Sequence, residues 1–537
     1  MTHSQPARSR TMIKTAALAA LLGASNAAWS ATPPDTLVMA WNIDAISTFD
    51  PAQIGEVVTN EILMNTCSAL VDYDPEDATQ VVPALAESWE VDEDERSLTF
   101  HLRDGLTFPS GEPVEADDLA WSLARVVKLG FGNAATLEEY GFTTDNVEQL
   151  ITAPDPRTLV IRFDRPYPSD LMLQAIAANR VATAIDRDTV MAQEVDGDLG
   201  NRYLTTRTEC AGPYRLRQWN AGEAVVLEAN PGWTPAPALS RVLIRHVAEP
   251  GTQRLLLSRG DVDVARDLTP EDLAAVEAAP DLEINKALRP QLFYWGFNND
   301  DPILSNQKVR QALQLLVDYQ GLADTVMSYS GIPRASFVPL ESFGALDESE
   351  GQPFSQDLDR ARELLVEAGY PDGFSMRLIF GTLPYSATVA QSLQNAAAQI
   401  GINLELERMA NAQLFSRVRG REYQMSLQSW QTSVADAHGM ASRLIYNPDN
   451  RLEARNTMYP SWNSAFYSEQ ANQEIEEALF ETDPAAREQR YHALQREVFE
   501  LTPRVVLFQT YNIVGLNQQL KGWQSNGFRS YYTLTSK

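Results

Sequence analysis

Alternation of apolar and polar side chains dominates the first half of the chain. Leu98, Phe100 and Leu102 alternate with Thr99, His101 and Arg103, the two-residue period of a strand buried on one face. Ser88–Val91, the acidic run Asp92–Arg96 and Ser97–Leu102 together predict a hairpin. Thr158–Phe163 alternates in the same way. Tyr214–Arg217, then Asn220-Ala221-Gly222, then Ala224–Glu228 predicts a second hairpin around a glycine turn. Helical stretches such as Ala116–Val127 interrupt these strands.

The second half changes period. Val309, Ala312, Leu313 and Leu316 share one helical face, with Ser305 placed to cap it. Leu358, Ala361, Leu364, Leu365 and Ala368 mark the next helix, which Gly369 and Pro371 stop. Ser375–Phe380 then reads as a strand. Val389, Leu393, Ala396, Ala397 and Ile400 form another apolar face ended by Gly401, and Ile402, Leu404 and Leu406 alternate after it. Strand, helix, strand at this spacing is a βαβ unit with parallel strands. Helical runs at Asn472–Phe480 and Ala486–Leu501 precede the strand-like Val505–Thr510. A β-rich lobe is thus followed by an α/β lobe, and a tail returns to the first. The chain crosses between them near Arg289–Phe297 and near Gln509–Asn512. Two crossings make a hinge, and a cleft between lobes is a natural ligand pocket.

The bulk properties narrow the partners. The 537 residues are 44% hydrophobic, enough to bury two or three lobes. Asp and Glu number 72 against 43 Lys and Arg, a formal charge of −29. Such a surface repels nucleic acid and anionic lipid, which argues against both as partners. Arg8, Arg10 and Lys14, the apolar run Thr15–Ala24 and the small residues around Ala28-Trp29-Ser30 read as a cleavable export signal over residues 1–30. The apolar run falls short of the about 20 residues that span a bilayer. No cysteine stands at the cleavage region, so a periplasmic protein rather than a lipoprotein is expected.

Cys67 and Cys210 are the two cysteines. An oxidising compartment invites a bridge between them, which forms only if their Cα atoms come within about 7 Å. They have no His at zinc-ligand spacing. The histidines beyond the signal, His101, His246, His438 and His492, are scattered. No H-E-x-x-H helix, G-x-S-x-G elbow, P-loop or G-x-G-x-x-G fingerprint occurs. Asp92–Glu95 lacks the spacing of a calcium loop and reads as a solvated turn. The chain is therefore read as a binding protein, not an enzyme, with no metal or cofactor.

An ordered set of segments carries a resemblance. Val82-Pro-Ala-Leu-Ala-Glu-Ser-Trp-Glu-Val91 leads to Leu98-Thr-Phe-His-Leu-Arg-Asp-Gly-Leu-Thr-Phe108 and Gly111-Glu-Pro-Val-Glu-Ala-Asp-Asp118. Ala211-Gly-Pro-Tyr-Arg-Leu216 and Ala229-Asn-Pro-Gly-Trp233 follow. Gly260-Asp-Val-Asp263, Asn298, Val309-Arg-Gln-Ala-Leu313 with Asp318, Ala361–Pro371 and Gly401-Ile402 complete the series. Together they resemble the peptide-type (family 5) solute-binding proteins of ABC transporters, the dipeptide, oligopeptide and nickel-binding family. The resemblance implies an α/β, two-lobe periplasmic binding protein of type II-like fold, with an extra β-containing subdomain in the first lobe. The expected division is 31–290 for the first lobe, with the insertion at about 80–205, then 291–508 for the second lobe and 509–537 for the return. A monomer that captures a peptide-like or other polar solute and delivers it to permease subunits in the inner membrane is expected. A periplasmic sensor or chaperone using the same fold is the alternative.

The resemblance also addresses the ligand. Members that bind free dipeptides are expected to hold the ligand amine with an Asp shortly after a Trp, and its carboxylate with an Arg before a helix of the second lobe. Trp430-Gln-Thr-Ser433-Val-Ala-Asp436 is similar to the first of these motifs, but Ser433 stands at the Asp. Leu383, before Pro384-Tyr385, stands at the Arg. An ionised group buried without its partner costs several kcal/mol, so an unmodified dipeptide is expected to bind poorly. Trp430, Ser433, Asp436 and Tyr385 are the candidate cleft residues of the second lobe, with Asp436 a replacement for the lost amine clamp. Glu56 and Val57 are those of the first lobe, and Tyr294, Trp295 and Tyr511 those of the crossings.

Overall fold

A computed structural model describes residues 32–178, 180–383 and 385–537; the expected export signal lies outside the described residues. One large sheet runs through both lobes. Its order is Asn403–Arg408, Ser375–Phe380, Met425–Gln431, Leu282–Phe297, Arg504–Asn517, Val264–Ala265, Thr36–Trp41, Arg241–His246, Ala224–Ala229 and Tyr214–Asn220, with Gly331–Pro333 added to Arg504–Asn517. The two long central strands belong to both lobes at once. The early part of Leu282–Phe297 pairs with Tyr511–Asn517, and its later part pairs with Arg504–Gln509 and with Met425–Gln431.

Pairing between these crossing strands shifts register twice, between Leu288 and Leu292 and between Phe293 and Tyr294, and the first shift is the wider. Leu288 faces Tyr511 and Leu292 faces Gln509, so Arg289, Pro290 and Gln291 lie opposite Thr510 alone. Pro290 lacks an N–H and cannot continue the ladder, which is where a bulge is expected. The amide of buried Gln509 donates to the Arg289 carbonyl at 3.0 Å, and Thr432 N–H donates to the Pro290 carbonyl at 3.0 Å. Gly527, in the left-handed region at φ 80°, lies against the Leu288 carbonyl, where a Cβ would overlap it. The C-terminal segment is thereby seated directly on the bulge.

The βαβ unit forms as the apolar spacing predicts. Ser375–Phe380 and Asn403–Arg408 pair in parallel, joined by the helix Ser386–Ala398. Val389, Leu393 and Ala397 of that helix bury against Leu378, Leu427, Val505 and Leu507. Ser305 is not the cap of the preceding helix. Asn306 is, accepting from Lys308 N–H at 3.0 Å, while Ser305 Oγ donates to Pro302.

A separate four-stranded antiparallel sheet, Ala86–Val91, Ser97–Leu102, Thr158–Arg162 and Ile151–Asp155, forms the added subdomain of the first lobe. The helix Ala116–Leu129 covers it, burying Leu119, Leu123, Val126 and Val127 and ending at Gly130 in the left-handed conformation. Burying each such side chain stabilises by about 1.5–3 kcal/mol. The Asp92–Glu95 turn is held by Asp92, whose carboxylate accepts from Ser97 N–H at 2.7 Å. Cys67 and Cys210 are bridged, with Cα atoms 4.9 Å apart. They join the helix Val57–Thr66 to the segment before Tyr214–Asn220, inside a core that Val514, Leu516, Leu520, Trp523 and Tyr532 of the C-terminal segment complete. Among the described residues no helix is long and apolar enough to cross a membrane.

Candidate functional site

The lobes touch through several side-chain contacts. Tyr73 Oη donates to the Ser433 carbonyl at 2.7 Å, and Val434 and Ala435 join the apolar core of the first lobe's subdomain. Phe480 packs on Tyr167 at 5.3 Å between ring centroids, with the Arg165 guanidinium over its face at 4.7 Å. Glu139 reaches Arg443 at 2.8 Å and His438 Nε2 at 3.3 Å. Burial alone would raise the Glu139 carboxyl; the hydrogen bond with His438 and the charge of Arg443 outweigh it and bring the pKa to about 2. A cavity of about 640 Å³ opens beside this cluster, lined by Glu139, Arg165, Arg443, Tyr446, Tyr459 and Phe480 among others.

Asp436 proves to be a structural anchor instead of an amine clamp. It is 2% exposed, and both its oxygens are taken by Arg487, at 2.6 and 2.7 Å. It also caps the helix Ala437–Leu444 by accepting from His438 N–H at 2.8 Å. A carboxylate buried and paired in this way is not presented to a ligand ammonium. The Arg487 guanidinium correspondingly holds its proton more tightly: burial opposes this, and the adjacent carboxylate outweighs it.

Tyr294 and Trp295 are likewise removed from the ligand surface. They are 2% and 0% exposed, on opposite faces of the crossing strand. Trp295 lies in the core with Phe293, Leu313 and Leu378, and Tyr294 in the one with Met440, Leu444 and Tyr491, beneath the Arg504 guanidinium at 5.0 Å. Neighbouring strand residues face opposite ways, and here both faces are covered.

The remaining candidates keep access to water. Trp430 is part-buried on Met425–Gln431, opposite Leu292. Ser433 is exposed two residues beyond that strand's end. Tyr385, just before the helix Ser386–Ala398, packs edge-on against Phe293 and Phe508 at 4.9 and 5.2 Å. Burial pushes its hydroxyl up to about 12, although the nearby charge of Arg289 pulls the other way. Tyr511 is part-buried, with Lys286 Nζ over its ring at 5.1 Å. In the first lobe Glu56 accepts from Ser47 Oγ at 2.6 Å and Val57 is 55% exposed. Leu383 is 37% exposed and brings no charge.

Arg289 was not among the residues singled out from sequence, yet it stands at the bulge between Tyr385 and Trp430's strand. Its Nη2 donates to the Gln431 side-chain oxygen at 2.9 Å. The available signal was Pro290, since proline inside a strand marks a break in pairing. Among the described residues no group of three or more His, Cys, Asp and Glu is arranged to hold a metal ion.

Comparison with known proteins places this architecture. The sequence profile of the bacterial extracellular solute-binding proteins, family 5 (Middle), matches residues 80–451. The probable D,D-dipeptide-binding periplasmic protein DdpA of Escherichia coli K12 is 26% identical over 516 residues, 95% of each chain. The glutathione-binding protein GsiB of Escherichia coli is 26% identical over 486 residues, 89% of this chain and 90% of its own. Among solved structures, the ABC transporter substrate-binding protein CtaP of Listeria monocytogenes superposes with a TM-score of 0.79 at 19% identity, over 94% of this chain and 99% of that one. HbpA2 of Haemophilus parasuis gives 0.76 at 22% identity, over 93% and 99%. The chain belongs to the family 5 bacterial extracellular solute-binding proteins.

Proposed function

We propose that the chain acts in the periplasm, after loss of residues 1–30, as the receptor of an ABC importer. It captures a peptide-like or other polar solute between its lobes and hands it unchanged to the permease. The lobes in this reading are 31–290 with 509–537, and 291–508, turning about the paired crossing strands. What supports it is that part-exposed Trp430, Tyr385 and Tyr511 and exposed Ser433 lie on or beside the strands of that waist, in a chain of this family. Aromatic faces exclude water from a bound solute while polar groups orient it.

The relatives' names concern D,D-dipeptides and glutathione. The solute of this chain is a different one from a free dipeptide, because Ser433 and Leu383 leave both ends of such a ligand without a charged partner.

A thermal-shift screen against peptides and small polar solutes tests the reading, followed by small-angle scattering with each hit. A hit at 100 times its Kd stabilises by about 2.7 kcal/mol and should compact the particle. Trp430→Ala should weaken every hit. Hits that neither change the scattering nor depend on Trp430 would place binding elsewhere and end the proposal.

A further inference from the structure

Several arginines that lie deep in this protein are compensated within the chain. Arg125 clasps Asp50 at 2.6 and 2.8 Å, Arg266 clasps Glu61, and Arg487 clasps Asp436. Arg310 and Arg334 donate instead to clusters of backbone carbonyls. Arg289 has neither. It is part-exposed, and among the described residues its side chain donates only to the neutral side chain of Gln431.

The charges around it offer no substitute. The groups whose charge acts on it are Tyr385, and Arg266 and Glu61, which are already paired with each other. Partial burial lowers the Arg289 pKa from its ordinary value. Its backbone is nonetheless fixed from three sides, by Gln509, by the neighbouring Thr432 and by Gly527 on the bulge. A part-exposed guanidinium with no carboxylate partner, on a backbone held in place, is available to an anion from outside the chain.

We propose that Arg289 is the anion clamp of the cleft: it receives a carboxylate of the captured solute in a two-pronged hydrogen bond, beside Tyr385 and within reach of Ser433's loop. This rests on the cleft reading above and narrows it. With Asp436 held by Arg487 and a serine at 433, the loop that follows Trp430 presents no free carboxylate to an ammonium. The preferred ligands are therefore carboxylates whose amino end is blocked or absent, such as acylated amino acids and peptides.

Isothermal titration with matched probes tests it. N-acetyl-L-alanyl-L-alanine, its C-terminal carboxamide and free L-alanyl-L-alanine are titrated into the wild type, Arg289→Gln, Arg289→Lys and Trp430→Ala. In the wild type the acetylated acid should bind at least about tenfold tighter than the carboxamide, since a buried charge-assisted pair is at stake. Arg289→Gln should abolish that preference, and Arg289→Lys should keep part of it. Ligand-free Arg289→Gln should melt no lower than the wild type, because the substitution removes an uncompensated charge. A purely structural arginine gives the opposite sign.

No preference for acid over carboxamide in the wild type, absence of binding by both included, overturns the clamp. So does a preference that survives in Arg289→Gln, or a lower melting point for that variant. If Trp430→Ala weakens acid and carboxamide alike while Arg289→Gln alters neither, the clamp fails and the cleft stands. If the probes bind and Trp430→Ala changes nothing, the cleft itself fails.

Discussion

Arg487, on the long helix Pro484–Leu501, and Arg289, on the first crossing strand, both stand where the lobes meet, in opposite electrostatic circumstances. Arg487 is 3% exposed and locked to Asp436, which also caps a helix, so its charge is answered inside the protein. Arg289 is part-exposed, meets one neutral amide, and is held in place through its backbone. The first arrangement makes one loop of the second lobe rigid. The second leaves a charge facing outward from a rigid strand. Formal charge and residue type are identical; what differs is whether a partner was supplied by the same chain.

The comparison breaks most severely at Arg487. Arg487→Met strands Asp436 as a buried unpaired carboxylate and should destabilise by about 3–5 kcal/mol in urea unfolding. Asp436→Asn with Arg487→Met removes both charges and keeps a capping side chain, so the double variant should regain much of that loss. If the two single changes simply added, the pair would not be the unit described here.

A smaller effect is expected at the bulge that presents Arg289. Gly527→Ala forces a left-handed backbone on alanine and drives its Cβ into the Leu288 carbonyl. It should destabilise by about 2 kcal/mol and weaken ligand binding with it, read by calorimetry on the same preparation. Unchanged stability would show that the C-terminal segment does not brace the bulge.

The smallest effect is expected at Glu139, which ties the added subdomain to His438 and Arg443. Its folded pKa of about 2 lies below the ordinary 4.5. Its contribution is therefore complete above the ordinary value and lost as pH falls towards 2. Glu139→Gln should cost about 1 kcal/mol at pH 7 and flatten the fall in melting temperature through that acid range. An acid limb of unchanged slope would remove Glu139 from the interlobe contact.

Local chemistry made much of the fold legible. The period-two runs at 97–102 and 158–162 are strands, the hairpin around Gly222 forms, and Gly369 and Gly401 end their helices at positive φ. The helix before Leu316 was legible but its cap was not, because Ser305 and Asn306 are both capping residues and only the backbone path selects between them. The site was legible in part. Trp430, Ser433, Tyr385 and Tyr511 remain accessible, while Tyr294, Trp295 and Asp436 do not.

By itself the sequence determined the elements, the βαβ order, the charge of the surface and the motifs of its family, all properties of neighbouring residues or of the whole composition. Tertiary structure alone decided which polar and aromatic groups stay free. Asp436 meets Arg487 across 51 positions, and both faces of the strand bearing Tyr294 and Trp295 are covered by helices distant in the chain. Burial and pairing are set by what arrives from elsewhere, and no local spacing encodes that arrival.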